Sequence, residues 1–272
     1  MRIRDKVQKI VFGSKIGKSK HQNFWWKLYT LSLKGMNIGE ASGFEESGEK
    51  RALSFLKENV ISSEEPILFD VGANVGGYTL ELLACMTNPQ IHCFEPAAET
   101  YKTLCQNVND NRVICNNFGI SDSISKSTLY YDKENSGMAS LYNRQLDYFG
   151  IDFSKSETVS LDTLDHYCEE NEISYIDFLK MDIEGNELNA LRGARSMLSE
   201  QKIAAIQIEF GGCNLDSRTY FRDYWNLLHT DYYVYRIVKD GLYKISQYDE
   251  RLELFTCTNY MFICKNALKN DD

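Results

Sequence analysis

The side chains best able to do chemistry in this chain are carboxylates placed beside glycines. Asp70-Val71-Gly72-Ala73-Asn74-Val75-Gly76 follows the apolar run Ile67-Leu68-Phe69, and Glu95 closes a second apolar run, Ile91 to Phe94. Glycine has no Cβ, so backbone at Gly72 and Gly76 can approach a ligand closely. A dinucleotide loop would read G-x-G-x-x-G, a nest of N–H groups shaped for pyrophosphate. This one reads G-x-x-x-G-G, with Asp70 at its entrance, where a carboxylate would repel phosphate and attract a cation. S-adenosylmethionine has no phosphate but carries an ammonium, a carboxylate and a sulfonium, and it suits that entrance. Glu95, about twenty residues past the loop, can accept hydrogen bonds from both ribose hydroxyls. After a third strand, Asn117 and Phe118 offer an amide and an aromatic face where an adenine would lie, although turn chemistry and core packing explain them equally.

These residues must be positioned by strands that run into loops and then helices. From Glu65 onward short apolar runs alternate with helical segments, the signature of βαβ units and a doubly wound α/β sheet. Strands are expected at Ile67 to Val71, Ile91 to Phe94, Arg112 to Cys115, Ile176 to Met181 and Ile203 to Phe210. Two more, Tyr232 to Val238 and Tyr260 to Cys264, close the sheet through a polar hairpin or loop. Helices are expected at Gly76 to Met86, Ala97 to Val108, Leu161 to Asn171 and Asn186 to Leu198. Ligands of such sheets bind beyond the carboxyl ends of the strands.

The glycine loop, and more so Phe178-Leu179-Lys180-Met181-Asp182-Ile183-Glu184-Gly185-Asn186-Glu187-Leu188, resembles the FkbM family of methyltransferases over roughly residues 65–210. The resemblance implies a class I methyltransferase: a Rossmann-like seven-stranded sheet with its last strand antiparallel. It implies S-adenosylmethionine-dependent O-methylation of a hydroxyl on a sugar, glycan or related small molecule. Carried over to this chain, Asp70, Gly72, Asn74, Gly76 and Glu95 would hold the cofactor, with Tyr78 and Pro96 beside them and Asp182 near the methyl group.

Activating a neutral hydroxyl is the chemical difficulty, because its pKa is near that of water, ~15.7. Asp182 ends one strand and Glu209 the next. If those strands are neighbours, as the resemblance implies, their backbones lie ~4.8 Å apart with both carboxylates at one rim. One of the pair can take the proton, with Glu184 in reserve. Two carboxylates with acceptor oxygens would also suit Mg²⁺. No third ligand is evident, so metal-free chemistry is the reading adopted. Ser140, in the loop Gly137 to Leu141, and the aromatic residues Tyr220 and Trp225 are the candidates for holding the acceptor. Methyl transfer to nitrogen or to a protein, and a catalytically silent cofactor-binding module, are the competing functions.

Composition narrows the partners. Thirty-nine acidic against thirty basic residues give a net charge of -9, which disfavours nucleic acid as substrate. Eight cysteines at irregular spacing match neither a zinc site nor a redox motif. No apolar run is long enough to span a bilayer and the N-terminus lacks a secretory pattern, so a cytoplasmic location is expected. Residues 1–64 read as a helical extension and 65–272 as the methyltransferase domain. In the extension, Ile3, Val7, Ile10 and Val11 recur at helical spacing among basic residues. This is a helix packed on its own domain or, alternatively, a weak peripheral contact with an acidic membrane surface. Phe24-Trp25-Trp26 is expected to pack between extension and domain, and oligomeric state is not legible.

Overall fold

The structure is a computed structural model and describes residues 12–39, 43–44 and 46–269. The basic periodic segment expected over residues 3–11 lies outside them. Eleven strands form two sheets among the described residues: β1 (Ile67–Val71), β2 (Gln90–Phe94), β3 (Val113–Asn116), β4 (Gly119–Ile120), β5 (Ser125–Tyr131), β6 (Lys155–Asp162), β7 (Phe178–Met181), β8 (Ala205–Phe210), β9 (Tyr232–Val238), β10 (Gly241–Ile245) and β11 (Thr258–Cys264). The main sheet runs β10-β9-β11-β8-β7-β1-β2-β3. Strands β1, β2, β3, β7 and β8 pair in parallel, and β11 is antiparallel to both its neighbours. The seven expected strands are therefore present, the last one antiparallel. An eighth, β10, adds to the edge through a tight hairpin with β9, and Gly241 enters it at a φ of 139°.

β1 and β7 are almost wholly buried, as central strands covered by helices on both faces must be, which is why they read as near-continuous apolar runs. Their polar members fall in one row: Asp70 pairs with Lys180, and Lys180 with Gln207. The helix Glu49–Asn59 buries Ala52, Leu53 and Leu56 in the same cluster as Leu68, Leu82 and Ile91. One core thus crosses the boundary expected at residues 64 and 65. The smaller sheet, β4-β6-β5, packs through Ala97, Leu129, Val159 and Leu161.

Three local expectations change. The helix expected from Leu161 begins at Leu164, because β6 continues to Asp162 and the Thr163 hydroxyl caps the helix by accepting from the His166 amide. The helix expected from Asn186 to Leu198 is two, Glu187–Arg192 and Arg195–Ser199. At the break, Gly193 lies so close to the Ser121 carbonyl that a Cβ would sit 2.1 Å from its oxygen. The aromatic run at 24–26 does not pack into the domain. Its helix, Gln22–Gly35, buries only Leu33. Trp25 instead packs on Phe12 and Phe24, with centroids 5.6 and 5.1 Å away, and Trp26 is 64% exposed.

Glu187 holds the turn between β7 and the next helix. Its buried carboxylate accepts from the amides of Ile183 (3.0 Å) and Gly185 (3.2 Å). Glu187→Leu orphans both donors and should cost ~2–3 kcal/mol in urea unfolding, whereas Glu187→Gln keeps an acceptor and should cost under ~1 kcal/mol. Equal losses for the two variants would show that the amides do not depend on this side chain.

Candidate active site

A cleft opens beyond the carboxyl ends of β1, β2 and β7, where ligands of doubly wound sheets bind. Its floor is the loop after β1, its far wall Phe94, Glu95 and Pro96, and its end Asp182 to Glu184 with Asn186. Ser136, Gly137, Ala139 and Leu141 line it from the side of the small sheet. Gly72, at a φ of 82°, is pressed against the chain after β7: a Cβ there would lie 2.0 Å from the Asp182 carbonyl oxygen. The Gly72 amide donates to the Phe94 carbonyl and the Asp182 amide to that of Val71, so three strand ends are laced together under the cleft. Only glycine permits that approach.

Glu95 is buried, and its two oxygens accept from the amides of Asn74 (3.0 Å) and Ala97 (2.9 Å). Burial pushes its carboxyl up to about 7 against the pull of those bonds. Asn74 takes a positive φ of 48°, and its buried Oδ1 has no protein partner. An orphaned acceptor and a fixed carboxylate side by side in a cleft fit a ligand rich in hydroxyl and amine donors, as S-adenosylmethionine is.

Asp70 does not face the cleft. It is fully buried behind the loop, accepting from the Thr79 hydroxyl at 2.7 Å and facing Lys180 at 3.4 Å. Lys180 also lies 3.6 Å from Asp182 and over the Tyr78 ring, 5.1 Å from its centroid. The Tyr78 hydroxyl donates to Gln207, whose amide donates to Glu49. Burial works against the Lys180 charge, but Asp70 and Asp182 outweigh it and hold the ammonium above the ordinary lysine range.

Asp182 and Glu209 stand at the ends of adjacent strands, since Met181 pairs with Ile208. Burial first, then the charge of Asp182, pushes Glu209 up to about 8. Burial and Asp182 push Glu184 up to about 9, although Arg144 donates a charge-assisted bond of 2.5 Å to it. Glu187, raised by burial to about 7, lies behind them. The three candidate proton acceptors are thus brought together, and each raises the cost of charging the next.

The other expected residues scatter. Gly76 starts the helix Gly77–Cys85 and packs on Leu104 and Val108. Asn117 spends its amide on the carbonyls of Glu95 and Pro96. Phe118 packs on Phe94, 5.6 Å between centroids. Ser140 is buried and donates to the Glu184 carbonyl at 2.7 Å, so it ties the flanking loop to the acidic turn. Trp225 stacks on His229 with centroids 5.3 Å apart, and Tyr220 is 49% exposed against Phe255. Neither lines the cleft. Sequence reasoning missed Lys180, Arg144 and Glu187. Lys180 had a signal: a lysine in the middle of a fully apolar strand requires a buried anion.

A sheet of this order, with the cleft over the β1 loop and an acid closing β2, defines a class I, S-adenosylmethionine-dependent methyltransferase. The methyltransferase FkbM domain matches residues 70–237, well over half of the chain, and the chain belongs to that family. It is 26% identical over 205 residues to the hexuronic acid methyltransferase AglP of Haloferax volcanii, a match covering 69% of this chain and 80% of that protein. It is 22% identical over 155 residues to the 2-O-methyltransferase NoeI of Sinorhizobium fredii, covering 53% of this chain and 63% of the relative, less than two thirds of its length. Among solved structures, an O-methyltransferase from Bacillus cereus in complex with SAH aligns over 96% of this chain and 97% of its own at 10% identity, with a TM-score of 0.44.

Two outcomes follow from the charges. Lys180→Met leaves two carboxylates facing each other without a cation and should destabilise the fold by ~3–5 kcal/mol, as breaking a buried pair does. Lys180→Arg keeps the charge and should lose less; denaturant midpoints decide, and a neutral Lys180→Met would remove the ion pair from the account. Glu95, Glu184, Glu187 and Glu209 all titrate above the ordinary value of 4.5, at about 7, 9, 7 and 8. The folded state then holds protons that the unfolded chain has released, so their contribution is full below 4.5 and is lost as pH rises through 7 to 9. The melting temperature of the ligand-free protein should fall across that window, and Glu209→Gln should flatten the fall. A melting temperature that rises from pH 6 to pH 9 contradicts this.

Proposed function

We propose that this methyltransferase transfers the methyl group to a hydroxyl of a saccharide or saccharide-like acceptor, with the Asp182 and Glu209 pair receiving the proton. The observation that carries the reading is the adjacency of these carboxylates at the ends of neighbouring strands, with Asp182 lining the end of the cleft. The activities of the two relatives, on a hexuronic acid and at a 2-O position, support a sugar hydroxyl as acceptor. S-adenosylmethionine, when bound, supplies an electrophilic methyl carbon on a sulfonium. Glu95 would accept from its ribose hydroxyls, and Asn74 Oδ1 and the close backbone at Gly72 would complete its seat.

Asp182 is partly exposed at the rim while Lys180 holds its other side. It therefore presents a fixed negative charge toward the reacting centre. Glu209, next to it, is the better proton acceptor of the two. A raised pKa makes its ionised form the stronger base, which matches the task of catching a proton released in the transition state once pH is high enough to ionise it. The Cys257 thiol, beside Glu209, favours its charged form. Arg144, braced between Glu184 and Asp216 at 3.5 Å, keeps the third carboxylate occupied and away from the hydroxyl. Among the described residues no group of three or more His, Cys, Asp or Glu is arranged to hold a metal ion. The proposal assigns the proton to the protein's own carboxylates.

The test is methyl transfer to a panel of uronic acid and neutral sugar acceptors, with the product linkage read by mass spectrometry. The rate should rise with pH and level off above about 8 as Glu209 ionises. Glu209→Gln should lower kcat by ~10²-fold or more and remove that limb, with cofactor affinity retained. Loss of activity on chelation that Mg²⁺ restores would transfer proton activation to a metal, and methylation of amines alone would overturn the acceptor.

A further inference from the structure

Residues 12–35 contain Lys15, Lys18, Lys20, Lys27 and Lys34 and no acidic residue, in a chain whose net charge is -9. They also carry apolar side chains that the fold leaves in water. Ile16, Trp26, Tyr29 and Leu31 are 53%, 64%, 43% and 64% exposed. The helix Gln22–Gly35 has fourteen residues and buries one of them, Leu33. Packing among the described residues does not account for a helix of this composition.

We propose that this helix docks the enzyme on an anionic lipid surface. Lysines beside exposed Trp, Tyr, Leu and Ile are the composition that lies in a bilayer interface, with aromatic and aliphatic groups at the acyl boundary and ammonium groups among the phosphates. Nucleic acid would use the lysines and could stack on Trp26, but it offers nothing to Ile16 and Leu31. A second copy of the helix would cover the apolar groups while bringing like charges together. An anionic bilayer satisfies both sets of side chains.

The helix is fastened close to the chemistry. It runs into buried Ile38, and the Gly39 amide donates to the Cys257 carbonyl at 2.9 Å. Cys257 immediately precedes β11, whose first residues pair with Phe210 and Glu209. Docking through residues 12–35 would therefore hold the acceptor end of the site near the lipid surface, where an acceptor carried on a lipid would be presented.

The full chain is sedimented with vesicles of phosphatidylcholine alone and of phosphatidylcholine mixed equally with phosphatidylglycerol, while tryptophan emission is followed. Binding to the anionic vesicles with a blue shift in emission is expected, and weak binding to the neutral ones. Lys20→Glu with Lys27→Glu should weaken partitioning ~10-fold or more. Trp26→Ser with Leu31→Ser should do the same, both pairs keeping their melting temperature and S-adenosylmethionine binding. The parent's emission shift does not depend on how the variants fold. Absence of binding, equal binding to both vesicles, or undiminished binding by the Trp26→Ser, Leu31→Ser variant overturns the proposal. So does displacement of the vesicles by an RNA oligomer, or self-association without lipid that this variant abolishes.

Discussion

One ammonium group inside the sheet sets the terms for the site. Lys180 stands among apolar side chains in a central strand, and its burial is tolerable only because Asp70 lies beside it on the next strand and Asp182 at its own strand's end. The charge cannot be moved without leaving two anions unpaired in a water-poor interior. Tyr78, Gln207 and Glu49 extend the arrangement from the cofactor loop to the start of the first core helix. Strand register, loop position and the direction of Asp182 thus answer to a single interaction.

Around that cation the site accumulates negative charge that it only partly compensates. Asp182, Glu184, Glu187 and Glu209 share two neighbouring cations, Lys180 and Arg144, and burial first, then the crowded charge, leaves Glu184, Glu187 and Glu209 as carboxyls that hold protons to neutral pH or beyond. Such crowding opposes stability. It also maintains a group able to take a proton from an alcohol, so the electrostatic stress and the proposed chemistry have one origin.

Much of this was legible in the residues. β1 and β9 were readable to their ends, because apolar runs bounded by turn residues admit little else, and the tight loop after β1 was readable because Gly72 permits a close backbone approach. What escaped depended on contacts distant in sequence. Asp70 reads as a ligand-facing acid at a loop entrance, yet it turns inward because its partner, Lys180, arrives from a strand more than a hundred residues later. Asn117 and Phe118 sit where an adenine could lie but are engaged by backbone carbonyls and by Phe94. Tyr220 and Trp225 show the weakness of aromatic content as a guide: the same rings that stack on sugars also pack beside His229 and Phe255. The break at Gly193 was hidden because the Ser121 carbonyl that demands a glycine there belongs to the other sheet's approach.

The bond from the Ser140 hydroxyl to the Glu184 carbonyl joins two parts of the cleft, since one end belongs to the loop on its small-sheet side and the other to the acidic turn after β7. Ser140 is further fixed by paired backbone bonds with Tyr130, so the loop moves with its sheet or not at all. Outward movement of this loop must therefore pull on the acidic turn or release it. Displacement on the small-sheet side of the cleft is thereby felt at the β7 turn through a single hydroxyl.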